Sequence, residues 1–287
     1  METHHSNNPS LLPWEAHAAS WDETMGDDGN QYFSALELPV LKKLVSPRPE
    51  DRALDLATGN GLVARWLAQE GASVVATDGS KAMTEQARIR TRDWYQRGRL
   101  PKDKISFEVL DVTDQSSWEL FVASHGPITK KFDIITMNMG IMDIHDIEPL
   151  AVYVKQLLEQ NGRFVATLLH PLFFTSGADR QITVREDPTT GQRQLDRSLV
   201  LRRYLNVPPA RQLLFSDDPG SQPPLCFHRP LHELFAPFFR AGLIMDALEE
   251  MDFDESFREP MREHAARNYT QFPKILAFRM RFAPSNG

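Results

Sequence analysis

Apolar positions along the chain fall into short runs separated by amphipathic stretches. Ala53–Ala57 reads as an apolar strand built around one acid, and Leu62–Gln69 as a helix that ends near Gly71. Ser73–Thr77 is a second β-rich run, followed by a polar helix from Ser80 to about Arg97. Ile105–Val112, Phe132–Met137 and Arg163–Leu169 supply three further strands, with helical stretches at Trp118–Ser124 and Leu150–Glu159. Strand and helix alternating in this way imply a parallel sheet covered on both faces.

The rhythm differs at both ends. Trp14–Val45 carries aromatic residues and a Leu-rich stretch that predict two or three helices, despite Pro39, and Pro47 and Pro49 mark the entry to the alternating region. Pro171–Pro224 is rich in Pro, Asp, Arg and Gln and shows no clear periodicity. A segment of that length within a compact protein reads as a lid or binding loop, with plain disorder as its alternative. Arg229–Ala241 then predicts a helix, and Leu243–Glu249 and Lys274–Phe282 two strands that close the sheet as an antiparallel pair. The expected divisions are a disordered N-terminus (1–13), a helical cap (14–50), a ligand-binding core (51–170), a lid-like insertion (171–228) and the C-terminal part of the sheet (229–287).

Composition narrows the functional classes. Among 287 residues, 32 Lys and Arg face 39 Asp and Glu, a formal net charge of -7, which argues against a nucleic-acid partner. The one cysteine, Cys226, excludes an internal disulfide and a Cys-based zinc site and fits a reducing, cytoplasmic compartment. No apolar run approaches the roughly 20 residues needed to span a bilayer, and Met1–Pro13 is too polar for a secretory leader. No metal site is expected, because Asp143, His145 and Asp146 are too few and too weakly patterned.

The sharpest motif is Leu54-Asp55-Leu56-Ala57-Thr58-Gly59-Asn60-Gly61, between a strand and a helix. Its glycines permit close backbone approach to a ligand, and the helix that follows presents free N–H groups to an anionic moiety. Asp78, ending the second strand, can accept from both hydroxyls of a ribose. Gly59, Gly61 and Ala64 also satisfy a loose G-x-G-x-x-A pattern, so a nicotinamide dinucleotide stays open at this point. Asp55 lies inside its strand, where it needs a partner. Asp111 ends the third strand, placed to accept from an adenine amino group.

Together these features resemble the class I S-adenosylmethionine-dependent methyltransferases, over nearly the whole chain. Leu158-Glu159-Gln160-Asn161-Gly162-Arg163-Phe164 looks like the family's leader into strand five, with Asn161-Gly162 where two glycines are usual. Ala57 stands where the motif commonly has a first Gly. Trp21-Asp22-Glu23, Gly29-Asn30, His170-Pro171, Gln222-Pro223 and Phe227-His228-Arg229-Pro230 are similar to a small-molecule subgroup.

The resemblance implies a Rossmann-like, seven-stranded α/β sheet, mostly parallel with an antiparallel C-terminal strand, and helices on both faces. It implies S-adenosylmethionine as cofactor, held by Asp55, Ala57, Gly59, Asn60, Gly61, Asp78, Gly79, Met83, Asp111, Val112 and Asn138. The acceptor is expected to be a small molecule, such as a specialised metabolite, methylated at oxygen or nitrogen. Trp21, Tyr32, Met139, Met142 and His228 are its candidate contacts, with ordinary core packing as the alternative for the aromatic and Met positions. An acceptor hydroxyl or ammonium must lose a proton, for which histidine suits neutral pH. His170, directly after strand five, and His145, beyond strand four, are the candidates, each with a structural hydrogen-bonding role as its alternative. Two other readings remain: a nicotinamide-dependent oxidoreductase, and a methyltransferase scaffold repurposed for binding or rearrangement. Oligomeric state is not legible.

Overall fold

The computed structural model describes residues 10–124, 131–212 and 222–284. The expected disordered tip, His4, His5 and His125 lie wholly or largely outside these. In chain order the elements are α1 (Leu12–Met25), a π-type turn (Phe33–Glu37) leading into α2 (Leu38–Val45), β1 (Arg52–Leu56), α3 (Leu62–Gln69), β2 (Ser73–Asp78), α4 (Lys81–Gln96), β3 (Ile105–Val109), α5 (Gln115–Ser124), β4 (Phe132–Asn138), α6 (Glu148–Leu157) and β5 (Leu158–Leu169). There follow β6 (Asp179–Glu186), β7 (Arg193–Val200), the two-residue strands β8 (Ala210–Arg211) and β9 (Leu225–Cys226), α7 (Leu231–Arg240), β10 (Leu243–Met251) and β11 (Ile275–Phe282). Pro39 is the second residue of α2, directly after the π-type turn, whose Leu38 N–H bonds back to the Phe33 carbonyl.

Seven strands form one sheet in the order β10-β11-β5-β4-β1-β2-β3. β11 runs antiparallel to both neighbours, and every other pairing is parallel. Alternate residues of each strand serve opposite faces. On β4, Ile135 and Met137 join Trp118, Val154 and Phe238 on one side, while Ile134 joins Leu44, Leu67 and Trp94 on the other. The order reverses between β1 and β4, so a crevice opens outside their carboxyl ends, where ligands of such sheets bind.

Two differences from the sequence reading have local causes. β3 stops at Val109 rather than Val112, because the Asp111 carboxylate accepts from the Thr113 N–H and hydroxyl and turns the chain out of the ladder. Within 171–212, β6 and β7 form a regular hairpin closed over Asp187–Gly191. None of its side chains is buried, so burial imposes no apolar pattern on its sequence.

Candidate functional site

The turn after β1 is a left-handed spiral with positive φ at Ala57 (51°), Gly59 (56°) and Gly61 (84°). Glycine takes this region freely, and the Ala57 methyl costs roughly 1–2 kcal/mol. Thr58 N–H donates to the Thr77 carbonyl at 2.8 Å and Gly59 N–H to Asp78 Oδ2 at 2.9 Å, tying the turn to β2. The N-cap of α3 is Gly61, which has no side chain to cap it, and the Ala64 N–H in the helix's first turn donates to the Asp55 carboxylate. A β-carbon at Gly140, just past β4, would come within 2.7 Å of the Ala57 methyl, so the two strand ends meet closely here.

Asp55 finds the partners its position demands. The Thr58 hydroxyl donates to its Oδ2 at 2.6 Å and the Thr136 hydroxyl, from β4, to its Oδ1 at 2.7 Å. Burial nevertheless pushes its carboxyl up to about 6, against the pull of those two hydroxyls. Its role in this geometry is to hold the turn. Asp78 accepts from the N–H groups of Gly59 and Ser80, and burial pushes it likewise to about 6. Asp111 is buried beside Val112, beyond the end of β3. Gly79 and the buried Met83 continue the wall along the start of α4.

Helix α1 covers this row. The Glu15 carboxylate accepts from the Ser80 hydroxyl at 2.6 Å and caps α4 through the Ala82 N–H. Asn60 donates to Asp22 and the Gly26 carbonyl, and the Arg90 guanidinium grips Asp22 and Asp27 at 2.7–2.9 Å. The Trp21 indole lies over the turn, 3.6 Å from where a Gly59 β-carbon would sit, and packs edge-on against Trp14.

On the β4–β5 side, Asn138 accepts from the Thr167 hydroxyl at 2.6 Å and donates to the buried Glu37 at 2.8 Å. Met139 has φ 56°, and its N–H bonds both Thr167 oxygens. Met142 is buried, its sulfur accepting from the Leu169 N–H. The insertion packs onto this loop: Phe227 N–H donates to the Met142 carbonyl at 2.7 Å, Arg229 to the Ile141 and Ile144 carbonyls, and Gln212 to Asp143. Burial drives the Asp143 carboxyl well above its usual range.

The histidines occupy different settings. His170 is buried, and its Nδ1 accepts from the Leu172 N–H at 3.2 Å, so Nε2 carries the proton and donates to Glu250 at 2.8 Å. Both nitrogens are thus engaged, Nδ1 in capping the turn Pro171–Thr175 and Nε2 with Glu250, and burial lowers the ring's pKa. His228 donates from Nε2 to the Tyr204 carbonyl at 2.6 Å and accepts at Nδ1 from the Thr175 hydroxyl. His145 is exposed, at the rim of a groove of about 360 Å³ that it shares with Arg229, His232 and Arg240. Tyr32 stands edge-on to Phe253 at 4.9 Å. Among the described residues no group of His, Cys, Asp or Glu is arranged to hold a metal ion, and no helix is long and apolar enough to cross a membrane.

The structure therefore gathers Asp55 through Gly61, Asp78, Gly79, Met83 and Trp21 around one end of the crevice and Asn138, Met139 and Met142 around the other, with His145 outside. Sequence reading missed Glu15, Glu37, Thr136, Thr167 and Arg90. Only Glu37 left a trace, as an acid within the apolar run Leu36–Leu41.

Residues 30–206 match a family described as a methyltransferase domain. The chain is 40% identical over 75 residues to a 23S rRNA uracil-C5 methyltransferase of Shewanella halifaxensis, covering 26% of this chain and 16% of that one. It is 28% identical over 123 residues to a demethylmenaquinone methyltransferase of Clavibacter sepedonicus, 43% of each. It thus spans less than half the length of either curated relative. The fold is similar to an S-adenosylmethionine-dependent methyltransferase of Mesorhizobium loti (TM-score 0.59, 22% identity, 89% of this chain and 100% of that one). It is also similar to the glycopeptide N-methyltransferase MtfA complexed with S-adenosylmethionine (TM-score 0.52, 14% identity, 86% of this chain and 93% of that one).

Proposed function

Since the chain belongs to the S-adenosylmethionine-dependent methyltransferase family, we propose that it methylates a small-molecule acceptor at oxygen or nitrogen, within a cavity between the loop after β4 and the insertion. The observation that carries this reading is the anchoring of the insertion to that loop, through Phe227, Arg229 and Gln212. A loop buttressed in this way suits enclosure of a compact acceptor, and the net charge of -7 disfavours a polyanion.

The residues present fit the cofactor. At Gly59 no backbone stands within 4 Å of where a β-carbon would sit, only the Trp21 indole nitrogen at 3.6 Å, and the Asp78 carboxylate keeps lone pairs beyond the two used by backbone N–H groups. In this reading Asp78 holds the ribose hydroxyls, Asp111 and Val112 the adenine, and the Ala57–Gly61 backbone the amino-acid end. When bound, the cofactor supplies a methyl group already activated on a sulfonium. What remains for the protein is alignment and exclusion of water. α1 excludes water from the turn side, and Met139 and Met142 offer adaptable apolar surface to the acceptor. His170, with both nitrogens committed, serves the wall rather than the proton transfer.

The test is to supply donor carrying a labelled methyl together with separated low-mass, RNA and protein fractions of a cell extract. Label entering a compound of the low-mass fraction, with matching S-adenosylhomocysteine, is the expected result. Label entering only RNA or protein would overturn the small-molecule reading.

A further inference from the structure

Glu37 is the acid that the preceding account leaves unused. It sits at the end of the π-type turn and is only 4% exposed. Its neighbours impose a fixed orientation. The Thr167 hydroxyl oxygen accepts from the Met139 N–H at 3.1 Å, so its own proton goes to Asn138 Oδ1 at 2.6 Å. That leaves the Asn138 amide to donate to Glu37 Oε2 at 2.8 Å. Among the described residues nothing donates to Glu37 Oε1.

A carboxylate removed from water normally has a cation beside it. Here the cations nearby are committed elsewhere: Lys274 to Asp252 and the Tyr269 and Phe272 carbonyls, and Arg267 to Gln31 and Glu259. The other ionisable groups on that side, Tyr32, Asp252 and Glu259, are neutral or acidic. Burial pushes the Glu37 carboxyl up to about 7, the Asn138 amide alone pulling the other way. Glu37 thus lies where β4 and β5 end, with one oxygen unclaimed and, among the described residues, no cation paired with it.

We propose that Glu37 is the counter-ion for an amino group of a bound ligand, held beside the Asn138–Thr167 pair. The proposal rests on the cofactor and acceptor reading above, and it deepens it by giving the site a preference for amine chemistry. The same chemistry has two sources, the α-amino group of the cofactor and the amino group of an acceptor.

Isothermal titration of S-adenosylhomocysteine into the wild type and Glu37→Gln, at pH 6 and pH 8, tests the first source. Thermal shift of the S-adenosylhomocysteine complex with a panel of primary and secondary amines, each paired with its N-acetyl counterpart, tests the second. Glu37→Gln keeps the side chain's shape while removing its charge and turning one acceptor oxygen into an NH2 donor, so an unchanged melting temperature of the free protein certifies its fold. Glu37→Met serves as a second variant if the first does not fold. If the cofactor is the source, the variant binds at least tenfold more weakly at pH 8, and the gap narrows at pH 6 as wild-type Glu37 takes up a proton. If the acceptor is the source, cofactor affinity is equal in the two proteins, while amines raise the melting temperature of the wild-type complex alone and their acetylated forms do not. Equal affinities at both pH values together with no Glu37-dependent amine response would overturn the proposal. Failure of the wild type to bind S-adenosylhomocysteine would instead sink the cofactor reading, and the proposal with it.

Discussion

Thr136→Val isolates the contribution of one hydroxyl to the turn. Thr136 is fully buried, and valine fills nearly the same volume, so the substitution removes the donor to Asp55 Oδ1 without opening a cavity. Among the described residues the Thr58 hydroxyl and the Ala64 N–H then remain as donors to that carboxylate. Losing a hydrogen bond to a buried ionised group costs about 1.5–3 kcal/mol, and to a neutral group about 1 kcal/mol. Because burial already holds the Asp55 carboxyl at about 6, the group is largely protonated in the folded protein near pH 5 and ionised near pH 8. The sign follows from linkage. A folded-state value raised above the unfolded one means that stability falls as pH rises between the two, and a further upward shift extends that loss to higher pH. Urea denaturation of the ligand-free protein at about pH 5 and about pH 8 should therefore show destabilisation of about 1 kcal/mol at the lower pH and about 2–3 kcal/mol at the higher. Equal destabilisation at both values, or less than about 0.5 kcal/mol at pH 8, would refute the claim that Asp55 is an ionisable strut of the turn.

Further predictions address the parts around that strut. His170→Ala should cost about 0.5–2 kcal/mol of stability through loss of the cap on Pro171–Thr175, while S-adenosylhomocysteine affinity by titration stays within twofold; a selective loss of turnover would return the ring to catalysis. Arg90→Ala should release α1, seen as faster amide exchange between Leu12 and Met25 and a cofactor affinity lower by about 1–3 kcal/mol; unchanged exchange would show that α1 is held by its other contacts. Gly140→Ala should destabilise by about 1–3 kcal/mol, read by thermal unfolding, because its new methyl meets those of Ala57 and Met137 at 2.7 and 3.2 Å; a neutral result would mean that the strand ends part easily.

The sheet was legible because its central strands, buried on both faces, are short near-continuous apolar runs between turn signals, and the Gly59–Gly61 turn because only glycine adopts its conformation cheaply. Asp78 was legible for a related reason: an acid closing an apolar strand stands out against its surroundings. The hairpin of β6 and β7 was not legible, since both its faces meet water and nothing enforces alternation. Pairings across the chain, such as Asp55 with Thr136 or Arg90 with Asp22 and Asp27, leave no local mark, because threonines and arginines are ordinary residues until the fold brings them together. His170 shows the converse. Its place after β5 was correctly read, but the engagement of both ring nitrogens depends on Leu172 N–H geometry and on Glu250, 80 residues away.

Titration of S-adenosylhomocysteine into the wild type and Asp78→Asn, with a nicotinamide dinucleotide as control, tests most directly whether the crevice outside β1 and β2 holds the methyl donor. The account predicts binding of S-adenosylhomocysteine to the wild type, weakened by about 1–3 kcal/mol in a folded Asp78→Asn as one of the two charged acceptor oxygens becomes an NH2 donor, and no binding of the dinucleotide. Equal affinity of the two proteins, or a preference for the dinucleotide, would contradict it.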